Sequence, residues 1–405
     1  MIKTGIDVVE IQRFAKMAHL DSFAKRVFSK EEQAYFASKK SPYESIAGHY
    51  AAKEAFSKYL GTGVRGFNLN DITVLHQENG KPYLLFHGNP VAVDLSITHS
   101  DAVAVAVVAG EELNTYRAYE GDLEPYRALL PKRNPDMNKG DCGRVLIVAG
   151  SKGMTGAATL SALGALRSGC GLLTVATPDS EQPILAMKLT EAMTMALPSV
   201  HGKLAPEAGK AIEKAVQSSD VCVFGPGLGK APELWKSVEM LFEQKKPLVL
   251  DADGLNALSG HIDSIKDATE NVVMTPHPGE MARLTGLTVE EIQQNRELVA
   301  KTYAKAWGVT VLLKGRNTVI ASPDGQLHIN PTGNSGMASG GMGDVLSGVI
   351  GALMGQGLDG YQSAVLGAFL HGLAGDLAAK ELGEFGMIAG DVAERLPRAF
   401  LTIQA

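Results

Sequence analysis

The stretch "GNSGMASGGMGDVLSG", residues 333–348, holds six glycines, and Asp344 is the first acid after the densest of them. Glycines let consecutive backbone N–H groups converge on one point, and the apolar run "VLSGVIGALMG" that follows reads as a helix whose N-terminus favours negative charge. Such a cradle can hold a phosphate with backbone alone. The chain has no Gly-x-x-x-x-Gly-Lys-Ser/Thr signature, so the cradle is unrelated to the common P-loop. A glycine-rich helix start packed tightly on a strand would look similar, but it leaves Asp344 unexplained. A carboxylate beside a phosphate site repels the ligand; it makes sense there as a base that takes the proton of a hydroxyl attacking that phosphate.

Chemistry of that kind needs a rigid frame. Beyond Asp141, "RVLIVAGS", "LLTVATP", "VCVFGPGLG", "PLVLDADG", "VVMTPHPGE" and "VTVLLKG" are apolar runs ending in turn signals, mostly separated by helical stretches. That is the pattern of a doubly wound, mostly parallel sheet. Ligands of such sheets bind at the carboxyl ends of the strands, where the unusual residues gather: "GPGLG" at 225–229, Asp251, Asp253 and Asn256 of "DADGLN", His277 and Glu280 of "HPGE", and Lys314 of "LKG". Any one alone reads as a strand-end turn residue. As a set they read as a site.

A second constellation occupies the first 115 residues. "TGIDVVEIQRF" begins as an apolar strand interrupted by Asp7 and Glu10, and "AGHYAAKEAFSKYLGTG" is a helix that sets Glu54 and Lys58 one turn apart on one face before ending at Gly61. Glu54 and Lys58 alone read as a solvated helix pair. A carboxylate inside an apolar strand must find a cation or hydrogen-bond donors, and Asp7 with Glu54 can share a magnesium ion.

At 405 residues and 45% hydrophobic, the chain can fill more than one core, and two domains are expected. Its net charge of -6 speaks against a general nucleic-acid binder and for small-molecule or protein partners. Cys142, Cys170 and Cys222 are odd in number and lack CxxC spacing, so they read as buried thiols rather than as a disulfide framework or zinc site. "MIKTGIDVVE" carries charges where a signal peptide has an apolar core, and no apolar run approaches the ~18 residues of a membrane span. The expectation is a cytoplasmic protein without membrane contact. After the valine-rich "AVAVAVVAG" the chain turns polar, with Pro125, Pro131 and Pro135. The domain joint is expected there, giving a domain at 1–115, a linker at 116–128 and a domain at 129–405.

"NKGDCGRVLIVAGS", "GPGLG", "LDADGLN", "TPHPGEMARLTG" and "GNSGMASGGMGDVLSG" together resemble the ADP/ATP-dependent NAD(P)H-hydrate dehydratases, a branch of the ribokinase-like superfamily, over residues 129–405. The resemblance implies a ribokinase-like α/β fold and a repair reaction. NADH or NADPH damaged by hydration of the nicotinamide ring is restored by nucleotide-driven loss of water, through phosphorylation of the ring hydroxyl and elimination of phosphate. It implies that Asp344 deprotonates that hydroxyl and that the amides of Gly340, Gly341, Met342 and Gly343 stabilise the transferring phosphoryl group. It further implies that Lys314, Gly315, Arg316, Asn317 and Thr318 line the adenine nucleotide, ADP or ATP. Ala157, Gly227, Gly229 and His277 would contact the hydrated dinucleotide, although His277 equally suits a turn-capping role. Ser335 stands where proline is usual and Met342 where threonine is usual, and neither change removes a backbone amide. A small-molecule kinase of the same superfamily is the alternative, distinguished by its phosphorylated product.

In the first segment, Asp7 and Glu54 with "GTG" at 61–63, "NGKP" at 79–82 and "LSITHSD" around His99 resemble holo-acyl-carrier-protein synthase. The resemblance implies an α+β phosphopantetheinyl transferase fold that moves 4'-phosphopantetheine from coenzyme A to a serine of apo acyl carrier protein. By the same resemblance Asp7 and Glu54 hold Mg2+, Lys58 neutralises phosphate, and His99 lies near the pyrophosphate or the nucleotide. A homo-oligomer is expected too, with trimers in this family and tetramers in the other. His49 stands where arginine is usual, and a weakened contact with a coenzyme A phosphate or with the carrier protein is expected; Thr98, where serine is usual, is a mild change. Residues 13–40 hold seven basic and three acidic side chains, a surplus of +4. Such a surface suits steering of an acidic helical partner, or is an ordinary solvated helix face. The alternative for this segment is a non-catalytic oligomerisation module, against which the retention of Asp7 and Glu54 argues.

Overall fold

The computed structural model describes residues 2–61, 67–77, 79–111, 119, 121–231, 233–265, 268–269 and 271–404. Thr62 and Gly63 of the "GTG" motif and residues 116–118 and 120 of the expected linker lie outside the described residues. The chain divides into two compact units, Met1–Arg117 and Ala118–Ala405.

The first unit runs β1 (Ile2–Glu10), α1 (Ile11–Ala15), an eight-residue helix Leu20–Val27, α2 (Lys30–Ala37), α3 (Tyr43–Leu60), β2 (Ile72–His76), β3 (Pro82–Phe86), a two-residue strand Asn89–Pro90, β4 (Asp94–His99) and β5 (Val103–Glu111). Strands β1, β5 and β4 form an antiparallel sheet in that order, with Asp7 opposite Ala106 and Ala106 opposite Ile97. The alanine-rich face of α3, with Ala47, Ala51, Ala52 and Ala55 all buried, lies against this sheet. The approach is close: a Cβ on Gly5 would overlap the Ala55 carbonyl oxygen. Side chains two apart share a face of a strand, so Asp7 is delivered to the same seam with α3.

A charged staple that the sequence did not announce holds this unit together. Lys53 and Glu32 are both fully buried and pair at 2.7 Å. The Lys53 ammonium also donates to the carbonyls of Val27, Leu69 and Ile72. Glu32 in turn accepts from the Ser29 and Val74 amides at 2.9 and 3.2 Å. With the three ammonium protons shared among four acceptors and the carboxylate met by backbone amides, the desolvation of the pair is offset.

The second unit contains a nine-stranded sheet. Its strands are β6 (Arg144–Val148), β7 (Leu172–Pro178), β8 (Met193–Leu197), β9 (Val221–Phe224), β10 (Leu248–Leu250), β11 (Val272–Met274), β12 (Thr310–Leu313), β13 (Val319–Ala321) and β14 (Leu327–Ile329), in the order β14-β13-β12-β11-β10-β9-β6-β7-β8. From β6 to β12 neighbours are parallel, and β13 and β14 return antiparallel. This is the doubly wound sheet that the apolar runs implied. Each central strand is apolar on both faces because both are covered: Val145, Ile147, Val223 and Val249 enter one core, while Leu146, Val148, Phe224 and Leu250 enter the other.

The first core is closed by α4 (Thr155–Arg167), α8 (Met342–Gly355), α9 (Gly360–Leu382) and α10 (Ala389–Gln404). Helix α4 meets α8 backbone to backbone, since a Cβ on Gly348 would overlap the Ser161 carbonyl and one on Gly164 the Val345 carbonyl. That contact fixes where the glycine-rich turn before α8 sits. On the opposite face α5 (Asp253–Ala257), α6 (Pro278–Thr285) and α7 (Arg296–Trp307) follow β10 and β11. Cys142 and Cys222 are buried and Cys170 half-buried, all as free thiols. Among the described residues no helix is long and apolar enough to cross a membrane.

The α4–α8 contact predicts opposite outcomes for two glycine substitutions. Gly348→Ala has no room and is expected to lower stability by about 1–3 kcal/mol through overpacking. Gly209→Ala, on a helix with nothing near its added methyl, is expected to raise stability by about 0.4–1 kcal/mol. Urea titration of the two variants beside the parent checks both signs.

Candidate active sites

The carboxyl ends of β9 to β12 converge on one charged cluster. Asp251, directly after β10, is 1% exposed and accepts hydrogen bonds from the Thr275 hydroxyl and the Lys314 ammonium, each at 2.7 Å. Lys314, directly after β12, also lies 3.7 Å from Glu280. Burial works against its charge, but Asp251 and Glu280 outweigh it and raise its pKa above the ordinary lysine value. Between Asp251 and Asp253, Ala252 is held at φ 47 and ψ -113, a strained conformation for an alanine.

The glycine-rich turn meets this cluster. Gly341 caps α8 at φ 91, where a side chain would also strike Leu160. The next residues form the first turn of the helix, whose amides have no acceptor within the helix. A Cβ on Gly343 would lie 3.3 Å from the Lys314 ammonium, so the lysine sits over that turn. Asp344 is in the same turn. Burial, followed by the charges of Asp251, Asp253 and Glu280, pushes its pKa up to about 7, with Lys314 pulling the other way. The turn is braced from α9: Asp376 accepts from the Gly333 amide at 3.0 Å and from the Asn334 side chain at 2.9 Å. His371, also on α9, is buried and hydrogen-bonded to the Met342 backbone; burial lowers its pKa to about 4, so it adds no charge beside Lys314.

Ala157, Gly227 and Gly229 come together on a neighbouring surface. A Cβ on Gly227 would lie 2.7 Å from that of Ala157, and both Gly227 and Gly229 approach Met154. The Gly229 amide donates to Asp253 at 2.7 Å. Of the two readings of His277, the structure shows the cap: it is the N-cap of α6, and its Nδ1 accepts from the Gly279 and Glu280 amides at 3.0 and 3.3 Å. That leaves Nε2, 3.4 Å from Glu280, on a half-exposed ring. Gly315, Arg316 and Asn317 are exposed and Thr318 half-buried on the hairpin between β12 and β13.

In the first unit, Asp7 and Glu54 line one cleft with Val8, Val9, Glu10, Arg13 and Tyr50. Lys58 does not pair with Glu54 as their spacing on the helix suggested. It reaches across the seam to Asp7 at 2.8 Å and to the Ile6 carbonyl at 3.0 Å, because β1 offers a carboxylate and a carbonyl oxygen at the same place. His99 is exposed at the end of β4, outside the cleft lining. The ring of His49 is 2% exposed and sits 3.2 Å from Glu32, stacked on Tyr35, so it belongs to the buried staple and not to a surface that meets phosphate or a partner. Burial lowers its pKa.

Sequence reasoning passed over Glu32, Lys53 and Asp376, and it noticed Asp251 and Glu280 without assigning them a role. Lys53 and Asp376 lie inside helices with no local signal; only the fold reveals what they reach.

Residues 3–109 match the 4'-phosphopantetheinyl transferase superfamily, and residues 145–398 match the NAD(P)H-hydrate dehydratase family model. A bifunctional NAD(P)H-hydrate repair enzyme of Moorella thermoacetica is 50% identical over 67% of this chain and 52% of its own length. The ADP-dependent (S)-NAD(P)H-hydrate dehydratase of Neisseria meningitidis is 35% identical over 64% of this chain and 86% of its own. A Bacillus subtilis ADP/ATP-dependent NAD(P)H-hydrate dehydratase, crystallised with ATP and Mg2+, superposes with a TM-score of 0.60 at 32% identity, covering 70% of this chain and 97% of that one. The chain spans about half the length of the bifunctional curated relatives it matches. With more than half of its residues inside the matched family model, the chain belongs to the NAD(P)H-hydrate dehydratase family.

Proposed function

We propose that the second unit dehydrates hydrated NADH or NADPH using ADP or ATP, and that the first transfers 4'-phosphopantetheine from coenzyme A to a serine of apo acyl carrier protein. The observation that carries the first reading is Asp344, a carboxylate poised near neutrality in the first turn of a glycine-opened helix, beside a charged lysine. A base works best with a pKa near the working pH.

Ionised Asp344 takes the proton of the ring hydroxyl. The hydroxyl oxygen bonds to the terminal phosphorus of the nucleotide as the bond from that phosphorus to its bridging oxygen breaks, leaving AMP or ADP. Lys314 and the amides of Gly340, Gly341, Met342 and Gly343 balance the charge on the transferring group. The ring nitrogen's electron pair then expels phosphate, and loss of a proton from the adjacent carbon restores the double bond. Ala157, Gly227, Gly229 and the Nε2 edge of His277 receive the dinucleotide, and the loop of residues 314–318 receives the adenine nucleotide.

For the first unit the supporting observation is the pair Asp7 and Glu54 on one cleft. Among the described residues no third His, Cys, Asp or Glu joins them as a cluster. That donor set fits magnesium, which takes one or two carboxylates and leaves its other positions to phosphate oxygens and water. Bound there, the ion would neutralise charge on the pyrophosphate, with half-exposed Lys58 beside it. The first unit offers the carrier protein a suitable surface. All seven basic side chains of residues 13–40 are exposed, whereas Glu32, one of the three acids, is buried in the staple. Ile6 and Val8, 56% and 58% exposed on the outer face of β1, support self-association of this unit.

Two experiments test these readings. The rate of NADH recovery from its hydrate, as kcat/KM, should fall with decreasing pH through about 7, since a base whose pKa is raised to about 7 is lost by protonation below it. Asp344→Asn should bind nucleotide and dinucleotide at least as well as the parent and turn over at least ~100-fold more slowly. Its folding stability should gain on the parent's as pH rises from about 4 to above 7, because the raised pKa penalises the ionised native state there and not below the unfolded pKa. Near-normal turnover excludes Asp344 as the base.

Asp7→Ala and Glu54→Ala should each abolish pantetheine transfer to apo carrier protein, and excess chelator should do the same to the parent. Dehydratase activity of the same preparations should persist, since that chemistry belongs to a unit with its own cores. Transfer that survives both substitutions removes the metal-site reading.

A further inference from the structure

The hairpin loop between β12 and β13 turns through two left-handed residues, Gly315 at φ 144 and Asn317 at φ 53. The Thr318 hydroxyl closes it by donating to the Gly315 carbonyl at 2.9 Å. Beneath the loop lies Arg296, the first residue of α7. Its Nη2 donates to the Leu313 carbonyl at 2.9 Å and its Nη1 to the Gln293 side-chain oxygen at 3.2 Å. A Cβ on Gly315 would overlap the guanidinium. The loop backbone is thus wrapped directly onto this one side chain, and only glycine at 315 permits both the turn and the contact.

No ion pair accounts for the arginine. Among the described residues no charged neighbour contributes to its state; burial alone acts on it and lowers its pKa. Its Nε–H is buried without a protein acceptor. A guanidinium held by neutral acceptors, with one buried donor unmet, is a liability for folding. A long apolar side chain would fill the same space without that penalty. Its planar fork does what an apolar chain cannot, bridging the end of β12 and the underside of Gly315 at once.

We infer that Arg296 is a positioning residue of the nucleotide site. It fixes the backbone of residues 314–318 in the shape that accepts nucleotide, and so governs affinity for ADP or ATP while leaving the hydrated dinucleotide unaffected. The inference rests on the reading of this loop as the nucleotide loop.

The full chain and its Arg296→Met, Arg296→Lys and Gly315→Ala variants are compared by calorimetric titration with ADP and ATP, by ligand-free thermal unfolding, and by dehydratase kinetics. Arg296→Met should melt at or above the parent's temperature, yet its nucleotide KM should rise at least about tenfold, while its KM for hydrated NADH and its kcat at saturating nucleotide stay within about twofold. Arg296→Lys, which keeps the charge but not the fork, should behave as Arg296→Met does. Gly315→Ala attacks the same contact from the other side and should show the same nucleotide-specific defect. If the parent binds nucleotide and both Arg296→Met and Gly315→Ala bind it equally well, the positioning role is overturned. Equal losses for both substrates, or a lowered ligand-free melting temperature for Arg296→Met, would reduce Arg296 to scaffold and overturn it as well. A parent that binds neither ADP nor ATP removes the nucleotide-loop reading itself, and the inference with it.

Discussion

The second unit depends on how one ammonium is shared among carboxylates. Lys314 is held at 2.7 Å by Asp251 and 3.7 Å by Glu280, and Asp253 and Asp344 stand within the same field. One positive charge cannot satisfy all of them in a partly dry site, so the proton settles on the carboxyl with the fewest donors. Asp251 has two donors, from Thr275 and Lys314, and Asp253 has the Gly229 amide. Asp344 has burial without a comparable donor, and its pKa rises. Environments that push like groups apart assign the acid and base roles. Here they leave Asp251 as the anchor of Lys314 and Asp344 as the group free to exchange a proton. That balance requires the strand ends of β10 and β12 and the start of α8 to meet, which the sheet order and the α4–α8 contact provide.

What was legible in the sequence follows from range. Continuous apolar runs report a sheet covered on both faces because each residue's requirement is local, and the glycine-rich turn reports itself because it needs bare backbone wherever the rest of the chain lies. The Glu32–Lys53 staple is different. Its members are 21 residues apart, and neither residue type is expected inside until the backbone of Val27, Ser29, Leu69, Ile72 and Val74 is seen to supply five further partners. His49 was read as a surface change for the same reason. Helix α3 carries it, and only the packing of Tyr35 and Glu32 against its ring shows that it is buried. Asp376 braces the glycine turn from more than 40 residues away, a distance at which spacing carries no information.

Under the proposed functions, the two units handle phosphate by opposite means. In the second, positive field comes from helix amides and a lysine, both fixed by the fold, and the carboxylates present are there to tune it. In the first, two carboxylates face the cleft and supply no positive field themselves; a cation is needed before phosphate can approach. Each site holds one close lysine–carboxylate pair, Lys58 with Asp7 in the first and Lys314 with Asp251 in the second. A half-exposed lysine that rests on the carboxylate proposed to hold the metal restrains it at little cost, since exposed pairs are worth under about 1 kcal/mol.

The two positions where the glycine turn departs from the usual family pattern test whether that turn works through backbone or side chain. Met342 is buried, with its side chain in the core formed by α8, α9 and α10. Its identity is therefore read by packing, and its amide still opens the helix. Ser335 sits in the approach to the turn, where its hydroxyl bonds Glu384, a local tie of the kind that a proline would replace by restricting its own backbone. Both changes alter how the loop is held and neither alters which N–H groups it presents. A site built from side chains would have been redesigned by a threonine-to-methionine change at its centre. One built from amides needs only that Gly341 keep its left-handed turn and that α8 start where α4 and Gly348 place it.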